Sequence, residues 1–274
     1  MGLRIATNTA SIAAQRVLSK QQKRAEHSAQ ALASGSRIVN AADDAAGLAI
    51  SENFKGQLRG ISAARNNANN AISFAQVGEG GLNEVSNILV RLRELGVQAA
   101  SDTVSDVERG FLNNEAQQLI QEADRIAKTT MFGKTKLLDG SGGQLEFHVG
   151  PQGGEDNVIA FEFDADATTS ALGISGLAVG DKGDAREALA SVDEAISKVG
   201  SLRANFGAMQ SRMESTVSNL DVSYENLSAA NSRIRDTDIA KETAEMASAS
   251  ILQNTAVSVL AQANQMPSVA LKLV

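Results

Sequence analysis

The feature that most constrains the fold is a long line of apolar residues late in the chain. Leu189, Val192, Ile196, Val199, Leu202, Phe206, Met209, Met213, Val217, Leu220, Tyr224 and Leu227 recur at alternating steps of three and four. The mean step of about 3.5 residues is the period of a left-handed helical seam. At about 1.5 Å per residue it predicts a rod of roughly 58 Å. A rod with one apolar edge needs partner helices to cover that edge.

The partners are sought upstream. Ile50, Phe54, Leu58, Ile61, Ala64, Ala68, Ile72 and Ala75 form one stripe, which Leu82, Val85, Leu89, Leu92 and Leu95 continue, and Leu112, Ala116, Leu119, Ala123 and Ile126 form another. The glycines of "GEGG", 78–81, are expected to loosen the first run, and "SDTVSD", 101–106, to supply the caps that separate the next two helices. Only two prolines occur, where average usage predicts roughly 14, and this scarcity favours long unbroken helices. The period then changes to two. Leu145, Phe147 and Val149, then Ile159, Phe161 and Phe163, alternate with polar residues on either side of "GPQGGEDN", which predicts a β-hairpin. From Thr168 to Asp184 an irregular connection is expected. The fold class is therefore mainly α, a long antiparallel helical coiled-coil bundle with a small β-hairpin region.

The two ends differ from the middle. Residues 1–40 and 233–274 are rich in Ala, Ser, Gln, Asn and Thr, with thin apolar stripes such as Leu252, Ala256, Val259, Ala263 and Met266. Ordering a residue costs about 1–2 kcal/mol, which small side chains repay poorly. Both ends are therefore expected to stay mobile in a single copy and to order when other copies cover them. They also differ in charge. Six bases against Glu26 alone give residues 1–40 a net of +5 in a chain of net −7. No aromatic lies among these charges to stack on bases, so a solvated or intersubunit helix face is preferred to a nucleic-acid or membrane surface.

The search for chemistry yields little. Without cysteine there is no disulfide, thiolate nucleophile or thiolate metal site. His27 and His148 lack companions for a metal set and are read as a helix-surface residue and the outward face of a strand. "DADATTSALGIS" lacks the Gly and Glu of a calcium loop. No phosphate-binding, nucleophile-elbow or zinc-protease motif occurs. Neither a cofactor nor an enzymatic activity is expected. Asp43 and Asp44 are read as capping and charging the helix that begins near Ala45, with no other titratable group spaced to work with them. The first twenty residues hold no secretory apolar core, and no segment has the length of a membrane span.

Several blocks together carry a resemblance. "LASGSRIVNAADDAAGLAIS", "RNNANNAISFAQVGEGGLNEV", "RLRELGVQAAS", "ADRIAKTTMFGKTKLLDGS", "NLSAANSRIRDTDIAKETAEM" and "ILQNTAVSVLAQANQMP" occur in that order. They resemble bacterial flagellin, the subunit of the flagellar filament, over roughly residues 1–165 and 185–274, in a short form without large outer insertions. The resemblance implies paired N- and C-terminal helices that line an inner tube, from 1–42 and 233–274. It also implies an outer helical domain over 43–232, with its β-hairpin region at about 134–184. Inner-tube assembly would fall to Ile5, Ile12, Val17, Leu18, Leu32, Leu252, Ala256, Val259, Ala263 and Met266, and the joint between layers to Asp43 and Asp44.

The same resemblance implies a homopolymer of many copies, exported unfolded through the flagellar type III channel to an extracellular filament that drives swimming. An export chaperone at the C-terminal segment and the filament cap and hook-junction proteins would be partners. So would an animal Toll-like receptor, at Arg91, Leu95 and Glu115, all presented on helices. Neither nucleic acid nor membrane insertion is implied. A hook–filament junction protein and a cytoplasmic coiled-coil scaffold stand as alternatives; the completeness of "ADDAAGLAIS" and "LAQANQ" argues against the first, the matched ends against the second.

Overall fold

The computed structural model describes residues 7–271, with side chains described as far as Met266. In chain order the elements are α1 (Thr9–Ser34), α2 (Ala45–Ala99), α3 (Asp106–Thr129), β1 (Met131–Phe132), β2 (Thr135–Lys136), β3 (Gln144–His148), β4 (Val158–Glu162), α4 (Thr169–Leu172), α5 (Lys182–Arg235) and α6 (Ile239–Leu271). The chain divides into two compact units, Gln57–Glu225 and the two ends, Met1–Gly56 with Asn226–Val274.

The Gln57–Glu225 unit holds the large side chains. Its α2 stripe is buried at Ile61, Ala64, Ala68, Ala71, Ala75, Leu82, Val85, Leu89 and Leu92, and from Ala68 onward it shares one core with the α5 seam from Ala185 to Met213. Ion pairs Arg65–Asp221, Arg203–Glu79 and Arg93–Asp193 mark the two helices as antiparallel. The structure corrects three expectations. The stripe starts at Ile61 rather than Ile50, which is exposed, and Tyr224 at the far end of the seam is exposed as well. The third concerns "GEGG", through which α2 runs without a break.

Gly78 explains that continuity. It occupies a buried position, and a Cβ there would lie 2.7 Å from Cζ of Phe206, so hydrogen is the side chain that lets the α5 ring reach the α2 backbone. Phe206 joins an aromatic cluster with Phe163, at 5.7 Å and 69°, and Phe163 joins Phe74, at 5.2 Å and 70°. Such edge contacts add about 0.5–1.5 kcal/mol each beyond area burial.

The hairpin forms as the alternation predicts, with β3 and β4 antiparallel and Leu145 opposite Phe161 and Phe147 opposite Ile159. His148 stands exposed on β3. A second, two-residue pair joins β1 and β2. Ser105 caps α3 in a reciprocal box with Glu108. Arg109, only 7% exposed, donates to the carbonyls of Ala99 and Ser101, closing the turn between α2 and α3. The segment expected to be irregular contains α4 and buries Leu172, Ile174 and Val179 completely or nearly so. Polar side chains of α3 hold it: Asn113 accepts from the Val179 N–H, Gln117 donates to the Leu177 carbonyl, and Asp124 accepts from Thr169. Periodicity could not show this, because the pinning residues lie on another helix.

In the unit made of the ends, Gly35 closes α1 at φ 68°, a left-handed cap that glycine adopts without steric cost. The chain then meets α5 and α6: the Arg37 N–H donates to the Arg235 carbonyl at 2.7 Å and the Thr237 N–H to the Gly35 carbonyl at 3.1 Å. The adjacent aspartates divide their work. Asp44 accepts from the Gly47 N–H at 2.8 Å and caps α2. Asp43 accepts from the N–H groups of Asn40 and Val39, and its carboxylate lies 3.3 Å from His27 Nε2. The expectation that no titratable group faces this pair is therefore corrected: α1 brings His27 back over the turn, sixteen residues away in sequence. The Asn40 N–H, and after it His27 and the Val39 N–H, hold the Asp43 carboxyl below the usual carboxylate range.

Two predictions follow from these packing details. Gly78→Ala should destabilise the Gln57–Glu225 unit by about 1–3 kcal/mol through overpacking, whereas Gly80→Ala, which meets nothing within 4 Å, should stabilise it by about 0.5–1 kcal/mol; equal effects in urea unfolding would refute the close-approach account. The second concerns Asp43, whose contribution is present above the unfolded carboxyl pKa and disappears as pH falls through the lower folded value. The amide shifts of Val39 and Asn40 should titrate with a midpoint below that of an unfolded-chain Asp, and Asp43→Asn should abolish the titration; a midpoint at or above the unfolded value would contradict the assignment.

Candidate self-association surface

Both ends of the chain, expected to lack order in a single copy, form helices that pair with each other. The pair is antiparallel: Asn8 Nδ2 donates to the Ala263 carbonyl and Ser11 Oγ to Asn264 Oδ1, both at 2.8 Å, while Thr237 meets Gly35 at the other end. Along α1 the seam reads Ser11, Ala14, Leu18, Gln21, Ala25, Ser28 and Leu32, at steps of four and three. Along α6 it reads Met246, Ala249, Gln253, Ala256, Leu260 and Ala263. Both series keep the heptad spacing of a coiled seam, yet most members are Ala, Ser or Gln. Small residues let the helix axes approach but bury little apolar area. Gln21 adds a cost, since its Oε1 is buried with no hydrogen-bond partner among the described residues. An unsatisfied buried acceptor costs about 1–3 kcal/mol.

Many of the large apolar side chains of this unit point the other way. Ile12 is 58% exposed, Val17 47%, Leu252 43%, Val259 49% and Met266 57%. Leu252, Val259 and Met266 are seven residues apart and so form one line along α6. Ile239, Ile251 and Val257 are exposed as well. The arrangement departs from the usual order of a soluble helix pair, with mostly small residues inside and a line of Ile, Leu, Val and Met outside. Among the described residues, no helix is long and apolar enough to cross a membrane and no cluster of ligating side chains could hold a metal.

The residues singled out for assembly therefore separate into two groups. Ile12, Val17, Leu252, Val259 and Met266 lie open, while Ala256 and Ala263 are buried in the seam and Leu18 and Leu32 are half-buried along it. The single stripe expected for Leu252, Ala256, Val259, Ala263 and Met266 is thus two neighbouring lines with different occupants. Ile5 lies outside the described residues. Ile239, Ile251 and Val257 escaped the sequence reading because they fall between the heptad positions that it followed. Asp43 and Asp44 are brought together with His27 at the turn before α2.

Arg91, Leu95 and Glu115 separate too. Arg91 Nε and Nη2 both donate to Glu115 Oε1, at 2.9 and 2.8 Å, and Nη1 donates to Glu94 at 2.9 Å. Glu115 first, then Glu94, raises the Arg91 pKa. Leu95 is 1% exposed and belongs to the core, so the expectation that it is presented at the surface is corrected. It sits four residues from Arg91, yet its side chain is a member of the core cluster.

Comparison with known proteins places these features in a family. Residues 5–142 match the bacterial flagellin N-terminal helical region, and residues 189–274 match the bacterial flagellin C-terminal helical region. A flagellin of Halalkalibacterium halodurans is 42% identical over 243 residues, covering 88% of this chain and 89% of that protein. The flagellar filament core protein flaB2 of Brachyspira hyodysenteriae is 38% identical over 285 residues, covering 98% and 99%. Among solved structures, the crystal structure of Bacillus cereus flagellin is similar with a TM-score of 0.51 and 28% identity, covering 57% of this chain and 88% of that one. A putative flagellar hook-associated protein from Vibrio parahaemolyticus shares the fold, with a TM-score of 0.59 at 11% identity. With both terminal regions matched and relatives aligned over nearly their whole length, the chain belongs to the bacterial flagellin family, a family of structural proteins rather than enzymes.

Proposed function

We propose that this chain is the structural subunit of an extracellular flagellar filament, a tubular propeller for swimming, and that copies assemble through the open face of the α1–α6 pair. The observation that carries this reading is the line of Leu252, Val259 and Met266, with Ile12 and Val17, left in water beside a seam of small residues. Burying such side chains against another copy is worth about 1.5–3 kcal/mol each. The ends then form the inner tube and the Gln57–Glu225 unit the outer layer, with Asp43 and Asp44 at the joint. Relatives named as flagellins and filament core proteins, aligned over most of their length, favour this reading over a hook–filament junction protein or a scaffold.

Export as an unfolded chain through the flagellar type III channel fits a sequence with no disulfide to reduce. An export chaperone would cover the open C-terminal helix before assembly, and the filament cap and hook-junction proteins would meet the same surface at the two ends of the polymer. The Arg91–Glu115 pair is the proposed contact for an animal Toll-like receptor, with Leu95 acting only by fixing the helix from within.

Assembly is tested with sheared filaments as seeds and purified monomer. Leu252→Ser with Val259→Ser removes on the order of 3–6 kcal/mol per copy, which should raise the critical concentration at least about a hundredfold. The melting of the monomer should stay close to that of the parent, because both side chains are already exposed. Long tubes at the parent concentration under the electron microscope would overturn the proposal. For the receptor contact, Arg91→Ala should lower monomer potency in a reporter assay by about tenfold or more, and equal potency would refute it.

A further inference from the structure

Arg16, Lys20, Lys23 and Arg24 climb one side of α1 at helical spacing, and none has an ion-pair partner among the described residues. Most cations of the Gln57–Glu225 unit hold a carboxylate, among them Arg65, Arg91, Arg93, Arg125 and Lys128. The four α1 cations line a groove of about 500 Å³, together with His27 and with Glu245 of α6, its one carboxylate. Like charges this close repel one another, and an anionic partner from outside the unit relieves that repulsion.

The chain itself offers such a partner. Asp236, Asp238, Glu242 and Glu245 crowd the start of α6 against Lys241 alone. The antiparallel pairing sets these acids beside the C-terminal end of α1. Their charge centre lies about three helical turns, roughly 16 Å along the axis, from that of the cations. Within one copy Glu245 alone of the four reaches the groove, and none of them forms an ion pair with an α1 cation among the described residues. A second copy slid along the pair brings the other three there as well.

We infer that the basic groove of α1 receives the acidic start of α6 from a second copy, fixing the axial slip between copies while the neighbouring apolar line supplies the affinity. The inference rests on the self-assembly reading and names its electrostatic half. Charge at the rim and apolar residues at the centre is the usual anatomy of a protein interface, and complementary charge sets register and association rate more than strength. An anionic membrane is the weaker occupant, because α1 exposes only Ile12 and Val17 as large apolar side chains, too few for a helix lying in a lipid interface.

The test is seeded elongation of the full chain at low ionic strength, about 0.01 M, where the screening length is about 30 Å. Lys20→Glu with Lys23→Glu should slow elongation by about tenfold or more, and Asp236→Lys with Glu242→Lys, at acids outside the monomer's own groove, should do the same. Combining all four substitutions should restore the rate to within about threefold of the parent. The neutral pair Lys20→Gln with Lys23→Gln should flatten the salt dependence, and circular dichroism melts should show each monomer folded. Single-helix variants that elongate like the parent, or a combination no faster than its slower component, overturn the inference while leaving self-assembly intact. Failure of the parent itself to elongate overturns both. Loss of binding to phosphatidylglycerol vesicles in Lys20→Glu with Lys23→Glu, at unchanged elongation, overturns it in favour of a membrane.

Discussion

The size of the side chains placed along helix seams is the constraint on which the rest of this molecule depends. Two seams with the same heptad spacing run through the chain. Where α2 meets α5 the positions add Leu, Val, Met and Phe to their alanines, and the product is a dense core in which Phe74, Phe163 and Phe206 interlock. Where α1 meets α6 most of them hold Ala, Ser or Gln, and the buried Gln21 Oε1 has no hydrogen-bond partner among the described residues. Periodicity decides that both are helix pairs. Side-chain volume decides that one is complete in a single copy and that the other leaves much of its apolar surface in water.

Polar side chains do the work that the seams cannot. The α2–α3 turn is closed by one buried arginine, and the connection before α5 is held by Asn113, Gln117 and Asp124 reaching across from α3. Arg109, Asn113 and Gln117 satisfy backbone groups that would otherwise be left unpaired, and Asp124 takes the Thr169 hydroxyl, which is why a Gly- and Ser-rich stretch with isolated apolar residues still packs. The pair of aspartates before α2 belongs with these. Asp44 caps a helix and Asp43 ties down a turn.

Much of the architecture was legible in the sequence because it depends on period. The α5 seam, the cap at Ser105 and the strand register about "GPQGGEDN" are all local patterns, and each predicts its element. What could not be read depends on partners distant in the chain. Glycine at 78 signals a weakened helix until Phe206 is seen to need the space. His27 and Asp43 look unrelated until α1 folds back over the turn. The candidate surface was half legible for the same reason: heptad spacing finds the α6 stripe, but only the position of α1 separates Ala256 and Ala263, which are covered, from Leu252, Val259 and Met266, which are not.

One further consequence comes from where the α1–α6 pair lies in the chain. Its contacts join residues as far apart as Asn8 and Ala263, a separation of 255 positions. Closing so large a loop is slow, and it cannot begin until both extremities are available. Until they meet, the residues that each helix covers on the other, such as Ala14 and Ala256, stay in water. Topology alone thus makes this pair a late event in folding, after the contacts of the middle of the chain.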